Sequence, residues 1–197
     1  MSGEWRLEDV FVSGNPARDK FLARLFGLFN EEVVRHWCRC PGAAYEDLGR
    51  PTLRGAGEHR GHTLDFTLRH RATGNLYVAE MKCELELDHY RYLRLTDAGQ
   101  IRHHRGVAFQ KFLQLARQPD ALAVRVGGRP VRVRGAILIW GAVDPDGRAA
   151  AMAEYGFADV LSVEAMLADL RRWRPAPWRE RVGELERWSS ELFRSLT

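Results

Sequence analysis

Asp65, Glu80 and Lys82 fall within GHTLDFTLRHRATGNLYVAEMKCELE, residues 61–86, and bring two carboxylates and one ammonium into a short stretch of chain. The stretch reads as two strands, His62–Arg69 and Leu76–Leu85, joined by a turn over residues 71–75. Strand side chains alternate faces, so Glu80 and Lys82 point one way while Met81 and Cys83 point the other. With Thr73-Gly74 at the turn centre, Asp65 lies opposite Lys82 and Thr67 opposite Glu80. Opposed Cβ atoms sit about 5 Å apart and diagonal ones about 7–8 Å. Two carboxylates and an ammonium on one face make a divalent-metal site with a built-in cation. A one-residue slip would turn Asp65 away. The alternation of Leu64, Phe66 and Leu68 with Thr63, Asp65 and Thr67 sets Asp65 on the more polar face instead.

Composition sharpens the lysine. Of 30 basic residues only three are lysines, Lys20, Lys82 and Lys111, so arginine supplies nearly all the solvated positive charge. Arginine stays protonated, whereas a lysine amine can shift its pKa and orient or deprotonate a water. Charge is also unevenly spread. Between Gly99 and Gly135 eight basic residues, Arg102, Arg105, Lys111, Arg117, Arg125, Arg129, Arg132 and Arg134, stand against Asp120 alone. A basic segment beside an acidic metal site suits a phosphodiester substrate.

The elements that must position these groups follow from pattern and punctuation. Asn15 caps and Pro16 starts a first helix running to about Trp37. On its wheel Glu32 falls within the apolar arc of Phe21, Leu22, Leu25, Leu28, Phe29 and Val33, where a carboxylate is costly unless paired or bound to metal. Glu32 thereby joins the candidate site. A strand near Ala44–Leu48 precedes the hairpin. The polar connection Glu86–Arg105 that follows it carries Tyr90, Tyr92, Arg102, His103, His104 and Arg105, a composition suited to base stacking and phosphate contact. A helix over Gly106–Gln118 holds Gln110 and Lys111. Ala123–Val126 and Val131–Arg134 flank the turn signal Gly127-Gly128. Residues 135–140 form a continuous apolar run, the mark of a strand buried on both faces. A short helix near Arg148–Tyr155, a strand Phe157–Leu161, a helix Val163–Trp173 capped by Ser162 and a last helix Trp178–Leu196 complete the chain. Trp173, Trp178 and Trp188 in this tail read as packing residues, with a dimer contact as one role.

The length of 197 residues suits one domain, with a core over about residues 15–161 and a helical extension over 162–197. No apolar run reaches the roughly 20 residues needed to span a bilayer. The N-terminus, MSGEWRLEDV, carries no signal-like pattern, and three cysteines suit a reducing cytoplasm. His36-x-Cys38-x-Cys40 lacks a second ligand pair at structural-zinc spacing.

The order of a helix with Glu32, a strand, a hairpin with Asp65 and Glu80-Met81-Lys82, a helix with Gln110 and Lys111, and a buried strand resembles the PD-(D/E)XK nuclease superfamily. The resemblance spans about Asn15 to Trp140, with Leu64 where the namesake proline would stand. It implies an α/β, restriction-endonuclease-like αβββαβ core with a central mixed sheet flanked by helices, plus C-terminal helices. It implies a Mg²⁺-dependent endonuclease, with Mn²⁺ as substitute, acting on DNA. Asp65, Glu80 and the Met81 carbonyl would hold the ion, Lys82 would handle the attacking water, and Glu32 would tune the site or help to bind a second ion. Arg102, His103, His104, Arg105, Gln110 and Lys111 would contact the nucleic acid. A chain this short leaves little room for base readout by a monomer, which favours a homodimer on duplex DNA or a structure-directed enzyme. The alternative is a catalytically inactive nucleic-acid-binding module on the same fold.

Overall fold

The computed structural model describes residues 5–85 and 88–196. Its helices are α1 (Leu7–Phe11), α2 (Pro16–Gly27), α3 (Asn30–Arg39), α4 (Val107–Arg117), α5 (Pro145–Tyr155), α6 (Val163–Trp173) and α7 (Ala176–Ser195). The first strands are β1 (Tyr45–Asp47), β2 (Pro51–Arg54), β3 (His62–Thr63), β4 (Phe66–His70), β5 (Leu76–Lys82) and β6 (Arg94–Leu95). The later ones are β7 (Ala123–Val126), β8 (Arg129–Val131), β9 (Ala136–Trp140), β10 (Ala142–Val143) and β11 (Asp159–Ser162). A 3-10 helix, Ala98–His103, lies between β6 and α4.

The central sheet has the order β1-β4-β5-β9-β11. It is antiparallel across β1, β4 and β5 and parallel across β5, β9 and β11, so the chain is α/β with a mixed sheet flanked by helices. All five residues of β9 are buried, as a central parallel strand covered on both faces requires. Alternation divides the core into two layers. Phe66, Leu68, Ala79, Met81, Ile137 and Ile139 face one layer with Val33, Val34 and Trp37 of α3 and Met166 and Leu170 of α6. Val78, Ala136, Leu138 and Trp140 face the other with Phe109, Phe112 and Leu115 of α4. A second, four-stranded sheet has the order β3-β2-β7-β8, and β10 pairs with β6 in parallel.

Two expectations change here. The segment read as one strand over His62–Arg69 bends at Leu64 and Asp65. β3 leaves to pair with β2, and the Leu64 N–H donates to the Pro51 carbonyl. β4 then pairs with β5 as Phe66 to Ala79 and Arg69 to Leu76, two residues away from the expected register. The cause is a longer turn, closed by the Gly74 N–H on the His70 carbonyl and by Gly74 at φ +70°. Thr67 therefore faces Val78 rather than Glu80.

The expected helix from Asn15 to Trp37 is two helices. Asn15 does cap the first, accepting from the Arg18 N–H at 3.2 Å, and Pro16 opens it. The helix stops at Gly27, and α3 restarts after Leu28 and Phe29. The interruption resets the phase: Ala23 and Phe26 are buried, whereas Phe21 and Leu28 are exposed. In the tail Trp178 is buried, and Trp188, Leu192, Phe193 and Leu196 are exposed along α7. Among the described residues no helix is long and apolar enough to cross a membrane.

Candidate functional site

The site forms where β4 and β5 part company. Their ladder ends at Phe66 and Ala79, and continuing its register sets Asp65, at the bend, across from Glu80. Asp65 Oδ2 accepts from the Met81 N–H at 2.9 Å, replacing a ladder carbonyl. Its other oxygen lies 3.7 Å from Arg50 Nη2. The Val78 N–H bonds to Gly135 beside β9, so by alternation Met81 turns its N–H and C=O towards the Asp65 side.

Glu80 and Lys82 share the α4-facing side of β5. Lys82 Nζ donates to Glu80 Oε1 at 2.8 Å and sits 5.5 Å from the Phe109 ring centroid, a cation–π contact that steadies the ammonium. Burial, and then the Asp65 charge, raise the Glu80 carboxyl above its ordinary range, while Lys82 opposes the shift. Two carboxylates in one partly dry site repel unless a cation or proton lies between them. Among the described residues, the buried side-chain polar atoms that lack a hydrogen-bond partner are Thr67 Oγ1, Glu80 Oε2, His104 Nε2 and Trp140 Nε1. All four belong to the layer that carries Glu80: Thr67 faces Val78, Trp140 pairs with Lys82, and the His104 ring lies 5.9 Å from Trp140. Buried polar groups are ordinarily satisfied, so such a concentration marks a place built for a ligand, ion or water. The donor set fits a hard divalent ion, for which Asp65, Glu80 and the Met81 carbonyl offer oxygens.

The remaining candidates are distributed differently. Glu32 does not join the site. α3 packs on the opposite face of the sheet, and Glu32 is held by Arg181 of α7 at 2.5 and 2.7 Å, which lowers its pKa. Its place on a packing face is explained by that ion pair. Lys111 does not extend freely towards a ligand. Its Nζ lies 2.5 Å from Glu58 Oε1, in the connection between β2 and β3. Gln110 donates to the His104 carbonyl at 3.0 Å and so fastens the segment before α4. Arg102 pairs with Glu154 at 3.0 Å, and Arg105 is exposed. His103 and His104 turn inward to Glu84, with His103 Nε2 2.7 Å and His104 Nδ1 3.5 Å from its oxygens. Burial holds the His104 imidazole down to about 4 against the opposing Glu84 charge, with His103 and Lys82 acting alongside burial. The connection over Glu86–Arg105 contains β6 and the 3-10 helix; Glu86 and Leu87 lie outside the described residues.

Sequence reasoning passed over Thr67, Glu84 and Trp140 as site residues. Glu84 carried a usable signal, since Glu80, Lys82 and Glu84 repeat with the period of a strand. Trp140 closes the apolar run and looked like core alone. No family model, curated protein or solved structure matched this chain in comparison.

Proposed function

We propose that this protein is a metal-dependent nuclease that hydrolyses phosphodiester bonds in DNA, on a restriction-endonuclease-like core of the PD-(D/E)XK kind. One observation carries the reading. At the splayed end of β4 and β5, Asp65 accepts from the Met81 N–H beside Glu80, Lys82 Nζ touches Glu80 at 2.8 Å, and the second Glu80 oxygen is buried with no partner among the described residues. The element order α3, β1, β4, β5, α4, β9 supports the same core.

Asp65, Glu80 and the Met81 carbonyl would hold Mg²⁺ or Mn²⁺. When bound, such an ion polarises a phosphoryl oxygen and lowers the pKa of a coordinated water. The chain's own groups do the rest. Lys82, fixed between Glu80 and Phe109, orients that water by hydrogen bonding, and Arg50 adds positive charge beside Asp65. Exposed Arg54, Arg125 and Arg129 on the second sheet, with Arg132 just past β8, supply backbone contacts to the nucleic acid; β3 of that sheet leads directly into Asp65. In this reading Lys111 reaches a phosphate only after leaving Glu58.

The test is relaxation of supercoiled plasmid DNA by the full chain with Mg²⁺ or Mn²⁺, compared with Lys82→Ala. Loss of a water-positioning group costs about 10²–10⁴-fold in rate, and chelation abolishes cutting. Equal cutting by Lys82→Ala refutes the assignment. A wild type that binds DNA yet leaves it intact with either ion makes the chain an inactive binding module.

A further inference from the structure

Glu84, His103 and His104 form a group apart from the Asp65–Glu80 pair. One donor atom from each lies within 4.8 Å of the others, and neither Asp65 nor Glu80 belongs to that close group. Glu84 Oε2 lies 2.7 Å from His103 Nε2, and Glu84 Oε1 lies 3.5 Å from His104 Nδ1.

The hydrogen bonds around His103 point to a cation. Its Nδ1 lies 2.7 Å from the Gln100 carbonyl, which can only accept, so that nitrogen carries a hydrogen. Its Nε2 faces a carboxylate, which also only accepts when ionised, so a second positive partner belongs at Nε2: a proton or a metal ion. An imidazole that donates one N–H to a backbone carbonyl and turns its other nitrogen to a metal is the usual support of a histidine ligand. The support is itself rigid. Gln100 is buried, its amide donates to the Arg91 and Arg94 carbonyls at 2.8 and 2.9 Å, and its oxygen accepts the Thr96 and Asp97 N–H groups.

An independent observation comes from His104. It is nine-tenths buried and presents Nδ1 to Glu84, while Nε2, across the ring, has no partner among the described residues. The surroundings are aromatic: the Tyr92 ring centroid lies 4.1 Å from that of His103, and Phe109 lies 5.1 Å from His104. Glu84 and His103 remain partly open to solvent, which leaves room for a water as fourth ligand.

We propose that Glu84, His103 and His104 bind a transition-metal ion of the Zn²⁺ class, separately from the hard-ion site of Asp65 and Glu80. Two imidazoles and one carboxylate suit Zn²⁺ or Co²⁺ and are a poor set for Mg²⁺. Bond lengths of about 2.0–2.2 Å place tetrahedral ligands roughly 3.4 Å apart. The 2.7 Å contact opens slightly and the wider ones close, a rotamer-scale change. The ion then ties the 3-10 helix to the chain just past β5, two residues from Lys82. The rival set of His36, Cys38 and Cys40 is less suited: Cys38 is buried, its thiol is pushed up to about 12, and Cys40 Sγ donates to the His36 carbonyl.

The experiment titrates Co²⁺ into the tag-free, metal-stripped full chain and follows its visible d–d absorption, with Zn²⁺ as competitor. One equivalent is expected to bind with tetrahedral-type intensity and to be displaced by Zn²⁺. Glu84→Gln should weaken binding at least tenfold and His103→Ala should abolish it, whereas Asp65→Asn and Glu80→Gln should leave it intact. Circular dichroism checks that each variant is folded, and His103→Gln replaces His103→Ala if that variant is not. The proposal is overturned by absent d–d bands, by binding that survives in folded His103 variants, or by a thiolate charge-transfer band. It is also overturned by loss confined to the Asp65 and Glu80 variants. These readouts do not depend on DNA cleavage, so they stand apart from the nuclease reading.

Discussion

Replacing Glu80 with glutamine separates the electrostatic cost of the site from its use. In the metal-free protein two opposed terms change. Carboxylates about 5 Å apart, with an effective dielectric of about 20, repel by roughly 3 kcal/mol. Glu80→Gln removes that repulsion and the burial cost of a charge. It also removes the attraction of Lys82 at 2.8 Å, roughly 6 kcal/mol on the same scale, which is comparable to the repulsion and the burial cost together. The terms nearly cancel, so Tm in EDTA should move by no more than about 2 °C. Mg²⁺ breaks the balance. At ten times its Kd, a ligand that binds the native state alone adds about 1.4 kcal/mol. For a chain of this length each kcal/mol is worth about 2–4 °C, so the wild type should gain roughly 3–6 °C. Glu80→Gln should gain less than about 1 °C. The assay is a thermal melt across a Mg²⁺ series, the hard ion being chosen to leave Glu84 and its two histidines silent. A full Mg²⁺ shift in Glu80→Gln, or none in the wild type at any concentration, would sink the argument that Asp65 and Glu80 share an ion.

Glu32 and Arg94 provide contrasting controls. Glu32→Gln breaks the bidentate contact with Arg181 and should lower Tm by a few degrees, roughly 1–2 kcal/mol. The cleavage rate per folded molecule should stay within about twofold, and a hundredfold loss would return Glu32 to the catalytic machinery. Arg94 holds Glu8 at 2.5 and 2.8 Å, Asp144 at 3.0 Å and Glu164 at 3.2 Å, joining α1, the start of α5 and α6. Arg94→Met strands these carboxylates and should cost about 3 kcal/mol in urea unfolding at pH 7. The Arg94 hydrogen bond lowers the Glu8 pKa. Its contribution is therefore present above the unfolded value of about 4.5 and is lost as pH falls through the folded value. The gap between wild type and variant should narrow in that acid window, and a constant gap down to pH 3 contradicts the assignment.

Local signals were readable where their causes are local. The apolar run became β9, Gly127-Gly128 became a tight turn with both φ angles positive, and Asn15 and Ser162 became helix caps. The hairpin register was misplaced by two residues, yet Asp65 still reaches the site, because the bend at Leu64 and Asp65 turns its carboxylate onto the Met81 N–H at the end of the ladder. Distant partners were not legible. Nothing near Glu32 in sequence announces Arg181, and nothing near Lys111 announces Glu58. His103 and His104 stand in a polar connection whose composition suits base stacking and phosphate contact. Their inward turn depends on Glu84, nineteen residues earlier, and on a buried Gln100 that locks the intervening chain. The break after Gly27 escaped notice because the apolar period continues through it.

Strand β5 works as a sorting device with only two bins. Ala79 and Met81 go to the α3 side of the sheet; Glu80 and Lys82 go to the α4 side, towards which Glu84 continues the period. Deleting a single residue within Leu76–Ala79 while keeping the pairing with β9 would exchange the bins. Each candidate ion site would lose the carboxylate that this strand carries to it, Glu80 from one and Glu84 from the other, and Glu80 would press against Phe66 and Ile137. Removing two residues would shorten the strand yet keep every side chain in its bin. Length changes in this strand are therefore expected to come in even steps, because the fold stores the chemistry as parity.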